Sequence, residues 1–295
     1  MKYKVDDTRN YYDQNAHNYS NSYNLSGENY PANYYRLEVV KIIIEKFKIR
    51  GKVLDAGCGA GELLSYLCMN EFDATGCDLS EGMLGVAKET VFKASGKKIP
   101  FFQTNLNDLS MFKDNSFDHV FCLGVLPYIP ESEEAICYRE LSRILKPGGF
   151  LIGAHENELF DMFTFNRYTM RFFERNIYPV LEKNNTDLSL NECKNMLKEL
   201  IPNYEKPINK NPSKSARDII FLKPENPLVL PEKLKEFGFT HQERHFYHFH
   251  ALPPLIRNGN DQLIELSKTL EIESSQCWQG LFMASTFIEV SKKIN

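Results

Sequence analysis

The sequence predicts a doubly wound α/β fold, in which helices cover both faces of a mainly parallel sheet. Short apolar runs alternate with segments of helical periodicity between residues 52 and 154, and such alternation is typical of a parallel sheet. The first apolar run, residues 53–56, leads directly into a turn with three glycines. A glycine-rich turn between a strand and a helix lets the backbone pass close to a ligand. Together, the two observations predict a ligand cleft at the carboxyl edge of the sheet.

The predicted elements follow one another in the order that this fold requires. A helix that begins near residue 34 precedes the first strand, because apolar residues recur there at helical spacing. The apolar runs of the central part predict strands at 52–56, 73–77, 100–104, 118–123 and 149–154. The helices between them are predicted at 61–69, 81–94 and 132–145. Later in the chain, the patterns predict a strand at 239–250, a helix at 261–270 and a last strand at 280–291.

The chain divides into three predicted parts. Residues 1–50 form an N-terminal cap and the lead helix, and residues 51–158 together with 236–295 form the core. Residues 159–235 are an insertion that the core does not require, and additions of this kind usually lie over the ligand cleft. The first half of the insertion has helical spacing, whereas residues 201–231 hold six prolines and predict an irregular loop. We expect a largely helical insertion that covers the cleft and shapes the substrate site.

Composition excludes several classes of protein. The net charge of -4 and the pI near 6.0 argue against a general nucleic-acid binder, which would carry a large basic surface. The start of the chain lacks the apolar core of a signal peptide, and no apolar stretch is long enough to span a bilayer. We expect a soluble, cytoplasmic protein with no nucleic-acid partner. Its seven cysteines never form a C-x-x-C pair, which predicts mostly buried, reduced thiols: Cys58, Cys68, Cys77, Cys122, Cys137, Cys193 and Cys277.

The glycine-rich turn indicates a nucleotide cofactor without phosphate groups. A dinucleotide-binding turn would place its third glycine at position 62, three residues after Gly59. This chain has Glu62 at that position. A carboxylate in the first turn of a helix suits the helix dipole but repels a pyrophosphate. A ligand without phosphate groups is therefore the better fit to this turn.

The segment VLDAGCGAGE at residues 53–62 resembles the first motif of class I S-adenosylmethionine-dependent methyltransferases of the small-molecule type. Segments at 74–83, 101–109 and 116–126, and the turn at 141–152, resemble the later motifs of that family in the same order. The resemblance covers about residues 50–155. It implies a Rossmann-like sheet of seven strands, mostly parallel with one antiparallel strand. It also implies S-adenosylmethionine as methyl donor and S-adenosylhomocysteine as product.

The resemblance assigns residues to the cofactor. Asp78, 23 positions after Asp55, stands where the family has an acid that can accept both ribose hydroxyls. Asn105 replaces the usual aspartate at the adenine edge, and its amide oxygen can still accept a proton from the adenine amino group. The complete predicted cofactor set is Tyr19, Arg36, Asp55, Gly57, Cys58, Gly59, Asp78, Leu79, Met83, Asn105, Leu106 and Leu123.

The N-terminal residues 11–19 resemble the Y-D-x-x-A-x-x-Y opening of many small-molecule methyltransferases. In that family this stretch folds over the cofactor, and its tyrosines can pack beside the sulfonium through a cation-π contact. Arg36 resembles the arginine that pairs with the methionine carboxylate in some members. The alternatives are a frayed tyrosine-rich tail and a surface arginine.

An oxygen acceptor would need a group that removes its proton, whereas a neutral amine can attack first. The predicted catalytic residues lie near the carboxyl ends of strands: His155, His248, His250 and Tyr128. His155 could instead only cap its strand. His248 and His250 share one face of a strand and could bind a metal ion, but no third ligand is evident, so no metal is predicted.

The remaining predicted substrate residues are Tyr12, Glu156, Arg167, Arg171 and His245. Arg167, Arg171 and Arg175 recur every four residues, which predicts a cationic helix face that clamps a phosphate or carboxylate or else simply faces solvent. The predicted function is methyl transfer to a small-molecule hydroxyl on an anionic, sugar or natural-product-like substrate. The alternatives are methylation of a small amine, of protein or of RNA, and a non-catalytic cofactor-binding subunit. The oligomeric state is open.

Overall fold

A single sheet of seven strands, in the order β3-β2-β1-β4-β5-β7-β6, runs through the protein. The computed structural model describes residues 5–19, 23, 30–183, 190–200, 221–254 and 261–294. The strands are β1 Lys52–Ala56, β2 Asp73–Asp78, β3 Phe101–Gln103, β4 Phe117–Cys122, β5 Leu145–Glu156, β6 Phe239–Phe249 and β7 Ala284–Lys293. Strands β1 to β5 are parallel, and β7 is antiparallel to both of its neighbours, β5 and β6. The predicted Rossmann-like sheet with one antiparallel strand is confirmed.

Helices pack on both faces of the sheet. The first five are α1 Val5–Tyr19, α2 Ala32–Lys46, α3 Glu62–Met69, α4 Glu81–Ser95 and α5 Glu131–Ile144. The insertion contributes α6 Arg167–Phe172, α7 Tyr178–Lys183, α8 Leu190–Leu200 and α9 Leu230–Lys235. The last three helices are α10 Asp261–Thr269, α11 Glu271–Ser274 and α12 Gly280–Met283. Within the described ranges, no helix has the length and apolar character needed to cross a membrane.

The alternation of side chains along each strand builds two hydrophobic layers. Leu54 of β1 points into a layer that α5 covers, whereas its neighbour Val53 points into a layer that α2, α3 and α4 cover. Phe287 and Ile288 of β7 divide between the same two layers. Successive residues of a strand face opposite sides of the sheet, so the apolar runs of the central strands are buried on both faces. The layers hold the carboxyl ends of β1, β2, β4 and β5 at one edge.

The ends of the insertion are tied to the carboxyl end of β5. Leu159 lies three positions after the end of β5, and the returning segment, residues 221–226, runs beside residues 156–158. Glu225 donates its backbone N–H to the Glu156 carbonyl at 2.8 Å and accepts from the Glu158 N–H at 2.9 Å. Residues 201–220, most of the predicted irregular loop, lie outside the described residues.

The start of the last strand and the burial of one cysteine differ from the sequence-based expectation. The last strand begins at Ala284, and residues 280–283 form the short helix α12 instead. A Cβ at Gly280 would lie 2.4 Å from the Phe246 ring, so the glycine permits a close approach that an extended strand pattern does not reveal. The predicted buried thiols are found at five positions, whereas Cys277 is exposed and Cys193 lies where side chains are not described.

Candidate active site

The turn after β1 brings the backbone against its neighbours. Gly57, Gly59 and Gly61 have φ of 83°, 52° and 89°, which only glycine adopts without strain. The N–H groups of Gly57 and Cys58 donate to the Cys77 carbonyl at 2.7 and 2.9 Å. A Cβ at Gly57 would lie 1.9 Å from a Val125 methyl. Glycine is therefore required at this position by both backbone conformation and space.

Asp78 ends β2 beside this turn. One carboxylate oxygen accepts the N–H of Gly59 at 2.9 Å and the other accepts the N–H of Ser80 at 2.9 Å. Burial raises the pKa of Asp78 above its ordinary value, although these two N–H groups favour the ionised form. Each carboxylate oxygen can accept a further hydrogen bond, so the geometry suits a ligand with two adjacent hydroxyls.

A first cavity of about 740 Å³ lies above the carboxyl ends of β1, β2 and β4. The predicted residues that line it are Tyr12, Tyr19, Gly57, Gly59, Asp78, Leu79, Met83, Asn105, Leu106, Leu123 and Tyr128. Residues that the sequence did not single out also line it: Thr8, Arg9, Ser80, Thr104, Gly124, Val125 and Ile129. Thr8 and Tyr12 are one turn apart on α1, so helical spacing could have indicated Thr8. Its hydroxyl is buried and has no hydrogen-bond partner in the described part of the chain.

Helix α1 is fastened over the first cavity. Asp13 accepts hydrogen bonds from the Ser80 hydroxyl at 2.5 Å and the Gly82 N–H at 3.0 Å. Ser80 is also the N-cap of α4, since its hydroxyl oxygen accepts the Met83 N–H at 3.0 Å. The predicted N-terminal cap thus includes an ordered helix that contacts the residues next to Asp78.

A separate cavity of about 360 Å³ lies beside the glycine turn, and two charged residues, Arg36 and Asp55, line it. Arg36 is 7% exposed and Asp55 is 3% exposed. The Arg36 guanidinium donates to the Tyr23 hydroxyl at 2.9 Å. Burial raises the pKa of Asp55 to about 7, partly opposed by Arg36 and reinforced by Asp78. Buried opposite charges of this kind suit a zwitterion. We call this the amino-acid cavity.

A second cavity, of about 1100 Å³, adjoins the first. The two share four residues, Tyr12, Tyr19, Gly124 and Tyr128. The second cavity also collects the predicted residues Arg36, His155, Glu156 and His248. The residues that the sequence did not single out are Tyr11, Asn15, Ala32, Asn33, Pro127, Ala154, Tyr247 and Thr286. Two predicted proton acceptors and five tyrosines therefore surround one space.

His155 forms part of the floor of the second cavity. Its ring stacks on Phe287, with centroids 5.2 Å apart, and the residue is 2% exposed. Burial lowers the pKa of His155 to about 3, although Glu225 opposes this effect. Its Nδ1 has no hydrogen-bond partner among the described residues. His155 is therefore neutral at pH 7 and a weak base.

His248 lies at the wall of the second cavity in a left-handed conformation, with φ of 59°. Its Nδ1 is 2.8 Å from the Ser285 hydroxyl, and its ring stacks on Tyr30 with centroids 4.8 Å apart. The ring of His250 lies 4.7 Å from that of His248, as the shared strand face predicts. His250 packs against Phe160 at 4.7 Å and does not line the cavities described above.

The other predicted substrate residues lie outside the second cavity. His245 is buried beside Glu243, whose carboxylate is 3.1 Å from Nε2, and burial lowers the pKa of His245. Arg167 and Arg171 lie over the Tyr168 ring at 5.2 and 5.4 Å.

Of the three arginines, Arg175 is held by Asp161 at 3.0 Å and by Glu158 at 3.3 Å. Arg171 and Arg175 line a smaller cavity of about 390 Å³, and Glu156 lines both this cavity and the second one. The expected single cationic face is therefore divided between an ion-paired residue and two arginines on one tyrosine ring. None of the three reaches the second cavity.

Comparison with known proteins agrees with this geometry. A family model described as a methyltransferase domain matches residues 53–149. A ubiquinone biosynthesis O-methyltransferase of Dechloromonas aromatica is 35% identical over 108 residues, which are 36% of this chain and 45% of that protein. The chain spans about half the length of the curated relatives that it matches.

Solved structures share the fold at low sequence identity. The magnesium protoporphyrin IX methyltransferase of Synechocystis PCC 6803, solved with bound S-adenosylhomocysteine, has a TM-score of 0.57 at 16% identity, covering 98% of this chain and 99% of that one. A SAM-dependent methyltransferase of Methanosarcina mazei has a TM-score of 0.52 at 19% identity, covering 85% and 97%. Residues 53–149 therefore match a methyltransferase domain, and the chain shares the fold of SAM-dependent methyltransferases.

Proposed function

We propose that the protein transfers a methyl group from S-adenosylmethionine to a hydroxyl of a small molecule held in the second cavity. One observation carries this proposal: the first cavity adjoins the second, and Tyr12, Tyr19, Gly124 and Tyr128 line both. A donor in one cavity and an acceptor in the other would meet at this shared boundary. Holding two reactants in line contributes much of the rate of such a reaction.

The residues present fit S-adenosylmethionine. Asp78 would accept the ribose hydroxyls, and Asn105 would lie at the adenine edge within the first cavity. The zwitterionic methionine end would occupy the amino-acid cavity, with its carboxylate toward Arg36 and its amine toward Asp55. The buried, unpartnered hydroxyl of Thr8 offers one more hydrogen bond inside the first cavity.

The bound cofactor supplies an activated methyl group on a sulfonium centre. The protein then has to align the acceptor, exclude water and remove one proton. Tyr12 and Tyr19 stand at the shared boundary with their ring centroids 6.0 Å apart, and the Tyr128 ring lies 5.8 Å from that of Tyr12. The faces of aromatic rings attract a cation, so these tyrosines would favour the charged donor and exclude water from the boundary.

The walls of the second cavity favour a hydroxylated ring as acceptor. Tyr11, Tyr12, Tyr128 and Tyr247 offer flat apolar surfaces with polar tips, and such surfaces pack on planar molecules while hydrogen-bonding their substituents. Pro127 adds an apolar wall. Several relatives are named ubiquinone biosynthesis O-methyltransferases, and this supports an oxygen acceptor.

Residues 159–235 are proposed to form one wall of the acceptor site. Lys223 donates its backbone N–H to the carbonyl of Pro127 at 2.7 Å, and Pro127 lines the second cavity. The Lys223 ammonium is paired with Glu134 of α5 at 2.6 Å. These bonds hold the returning end of the insertion at the rim of the second cavity, which supports a role in shaping it.

His248 is the proton acceptor that the geometry favours. His155 has a pKa of about 3 and would bind a proton too weakly at neutral pH. His248 faces the same cavity with a ring nitrogen already engaged by Ser285. As the new carbon–oxygen bond forms, the hydroxyl proton would pass to His248.

An acceptor screen tests the proposal. The purified protein is incubated with S-adenosylmethionine and panels of phenols, carboxylic acids, sugars and amines, and release of S-adenosylhomocysteine is measured together with the mass of each product. Methylation of ring hydroxyls is expected. Turnover only with amines, only with protein or RNA, or with no acceptor despite cofactor binding would overturn the proposal.

A further inference from the structure

A buried carboxylate holds the end of β6 in its unusual conformation. Glu271 of α11 is 1% exposed. It accepts the backbone N–H of His248 at 3.0 Å and of Phe249 at 2.8 Å, and the Tyr30 hydroxyl also donates to it. A side-chain-bearing residue rarely adopts the φ of 59° found at His248. The paired backbone bonds to Glu271 therefore compensate a strained position at the wall of the second cavity.

The imidazole of His248 is oriented by two further contacts. Tyr30 stacks on one face of the ring with an interplanar angle of 22°. The Ser285 hydroxyl lies 2.8 Å from Nδ1 and 3.5 Å from the carbonyl oxygen of His248 itself. Because Nδ1 is engaged by Ser285, proton exchange with a molecule in the second cavity would run through Nε2.

We propose that Ser285 and Glu271 are positioning residues that prepare His248 to accept the proton of the methylated hydroxyl. The inference rests on the proposed function of the site. As the acceptor oxygen attacks the methyl carbon and the carbon–sulfur bond breaks, the O–H proton moves to Nε2 of His248. Nε2 can take this proton only in the tautomer whose Nδ1 already carries hydrogen, so Nδ1–H donates to the Ser285 oxygen and the Ser285 hydroxyl donates to the His248 carbonyl both before and after the transfer. Ser285 thus stabilises the protonated ring without changing its own charge.

The charges around His248 come from several elements. Tyr30, His250 and Glu271 contact its ring or backbone, and Arg36, His155 and Glu156 line the same cavity. Replacing Ser285 leaves all of these groups in place. A hydrogen bond to the charged form of a group raises the pKa of a base, so loss of the Ser285 hydroxyl is expected to lower the pKa of His248.

The first test is an NMR titration of histidine-labelled protein saturated with S-adenosylhomocysteine. Ser285→Ala is expected to lower the pKa of His248 by about one unit, the scale of losing one hydrogen bond to a charged group. Ser291→Ala is the matched control, because Ser291 is buried on the same strand and its hydroxyl has no partner within the described residues. Superimposable titrations of His248 in the wild type and Ser285→Ala would overturn the inference.

The second test uses a hydroxyl acceptor from the panel. Ser285→Ala should lower kcat about tenfold at pH 7 and move the acid limb of its pH profile to lower pH, with the KM for S-adenosylmethionine unchanged. The double variant with His248→Ala should be no slower than His248→Ala alone. Full activity in His248→Ala would overturn the inference.

Glu271 is tested through its acceptor oxygens. Glu271→Gln keeps one of the two oxygens. Its kcat is expected to lie between that of the wild type and that of Glu271→Ala, with cofactor affinity unchanged. Equal kcat in all three proteins would overturn the role of Glu271. If no acceptor is methylated at all, the proposed function fails, whereas the NMR titration still decides whether Ser285 tunes His248.

Discussion

The half of the sheet beside the proposed cofactor site, the cofactor half, and the half beside the proposed acceptor site, the acceptor half, are built in different ways. In the first, backbone groups of the glycine turn and the end of β2 are joined by short local bonds, such as Gly59 to Asp78 at 2.9 Å. In the second, side chains from distant parts of the chain meet, as when Tyr30 donates to Glu271. The family match covers residues 53–149, which include β1 to β4 but neither β6 nor β7. The proposed cofactor site is therefore built mainly from local contacts within the matched domain, whereas the proposed acceptor site depends on contacts between distant segments of the chain.

The largest expected effect is the loss of stability when a glycine of the cofactor half is replaced. Gly57→Ala places a Cβ 1.9 Å from Val125 at a φ of 83° and is expected to reduce the free energy of unfolding by about 3 kcal/mol. Gly85→Ala is the control, since a Cβ there meets nothing within 4 Å. It lies inside α4 and should raise stability by about 0.5 kcal/mol. Denaturant titration of both variants checks this, and equal stability would contradict the steric account.

The next largest effect is expected on the affinity for the cofactor product. Asp78→Ala removes the acceptor for the ribose hydroxyls and is expected to weaken S-adenosylhomocysteine binding by about 2 kcal/mol, the scale of charge-assisted hydrogen bonds. Titration calorimetry measures this loss. Asp73→Ala, at the exposed opposite end of β2, should bind as the wild type does. Unchanged affinity in Asp78→Ala would remove the ribose assignment.

Ligand binding in the cofactor half is also expected to depend on pH. Asp55 has a pKa of about 7, and the ligand ammonium favours its ionised form. Below pH 7 binding must first remove a proton from Asp55, so affinity for S-adenosylhomocysteine rises as pH rises toward 7 and levels off above it. Lowering the pH from 7 to 6 should weaken binding about fivefold. Calorimetry at both pH values should show a smaller difference in Asp55→Asn, and an equal difference would contradict the assignment.

The smallest effect concerns the helix that both halves share. Asp13→Ala removes the bonds from Ser80 and Gly82 that fasten α1 and is expected to speed release of S-adenosylhomocysteine about threefold, since exposed hydrogen bonds contribute little. Stopped-flow fluorescence measures the release. Asp7→Ala, on the exposed face of α1, is the control. Equal release rates in both variants would show that the contact does not hold the helix closed.

Local pattern predicted most of the cofactor half because its determinants are neighbours in sequence. The glycine turn follows directly after the first predicted strand, and the family resemblance identified the acid at the end of β2. The hydrogen bond between Asp13 and Ser80 could not be predicted, because the two residues are 67 positions apart and meet only through the packing of α1. Helical periodicity identified the arginines of the insertion, but not that Asp161 and Glu158 hold Arg175.

The histidines show the same limit in the acceptor half. The position of His155 at the carboxyl end of β5 predicted a proton acceptor, yet burial lowers its pKa to about 3, and its ring stacks on Phe287. The strand period placed His248 and His250 together, which the structure shows. It did not reveal the left-handed backbone of His248 or its contact with Ser285, because these arise from packing between β6, β7 and α11.

Methyl transfer from isotopically labelled S-adenosylmethionine tests whether the protein methylates hydroxyl groups of small molecules. The protein is incubated with a panel of hydroxylated ring compounds, and mass spectrometry locates the labelled methyl group in each product. We predict label on a ring oxygen, with the yield strongly reduced in His248→Ala. Label found only on nitrogen or on macromolecules, or no transfer by protein that binds the cofactor, would contradict the proposal that the second cavity is a site for methylation of small-molecule hydroxyls.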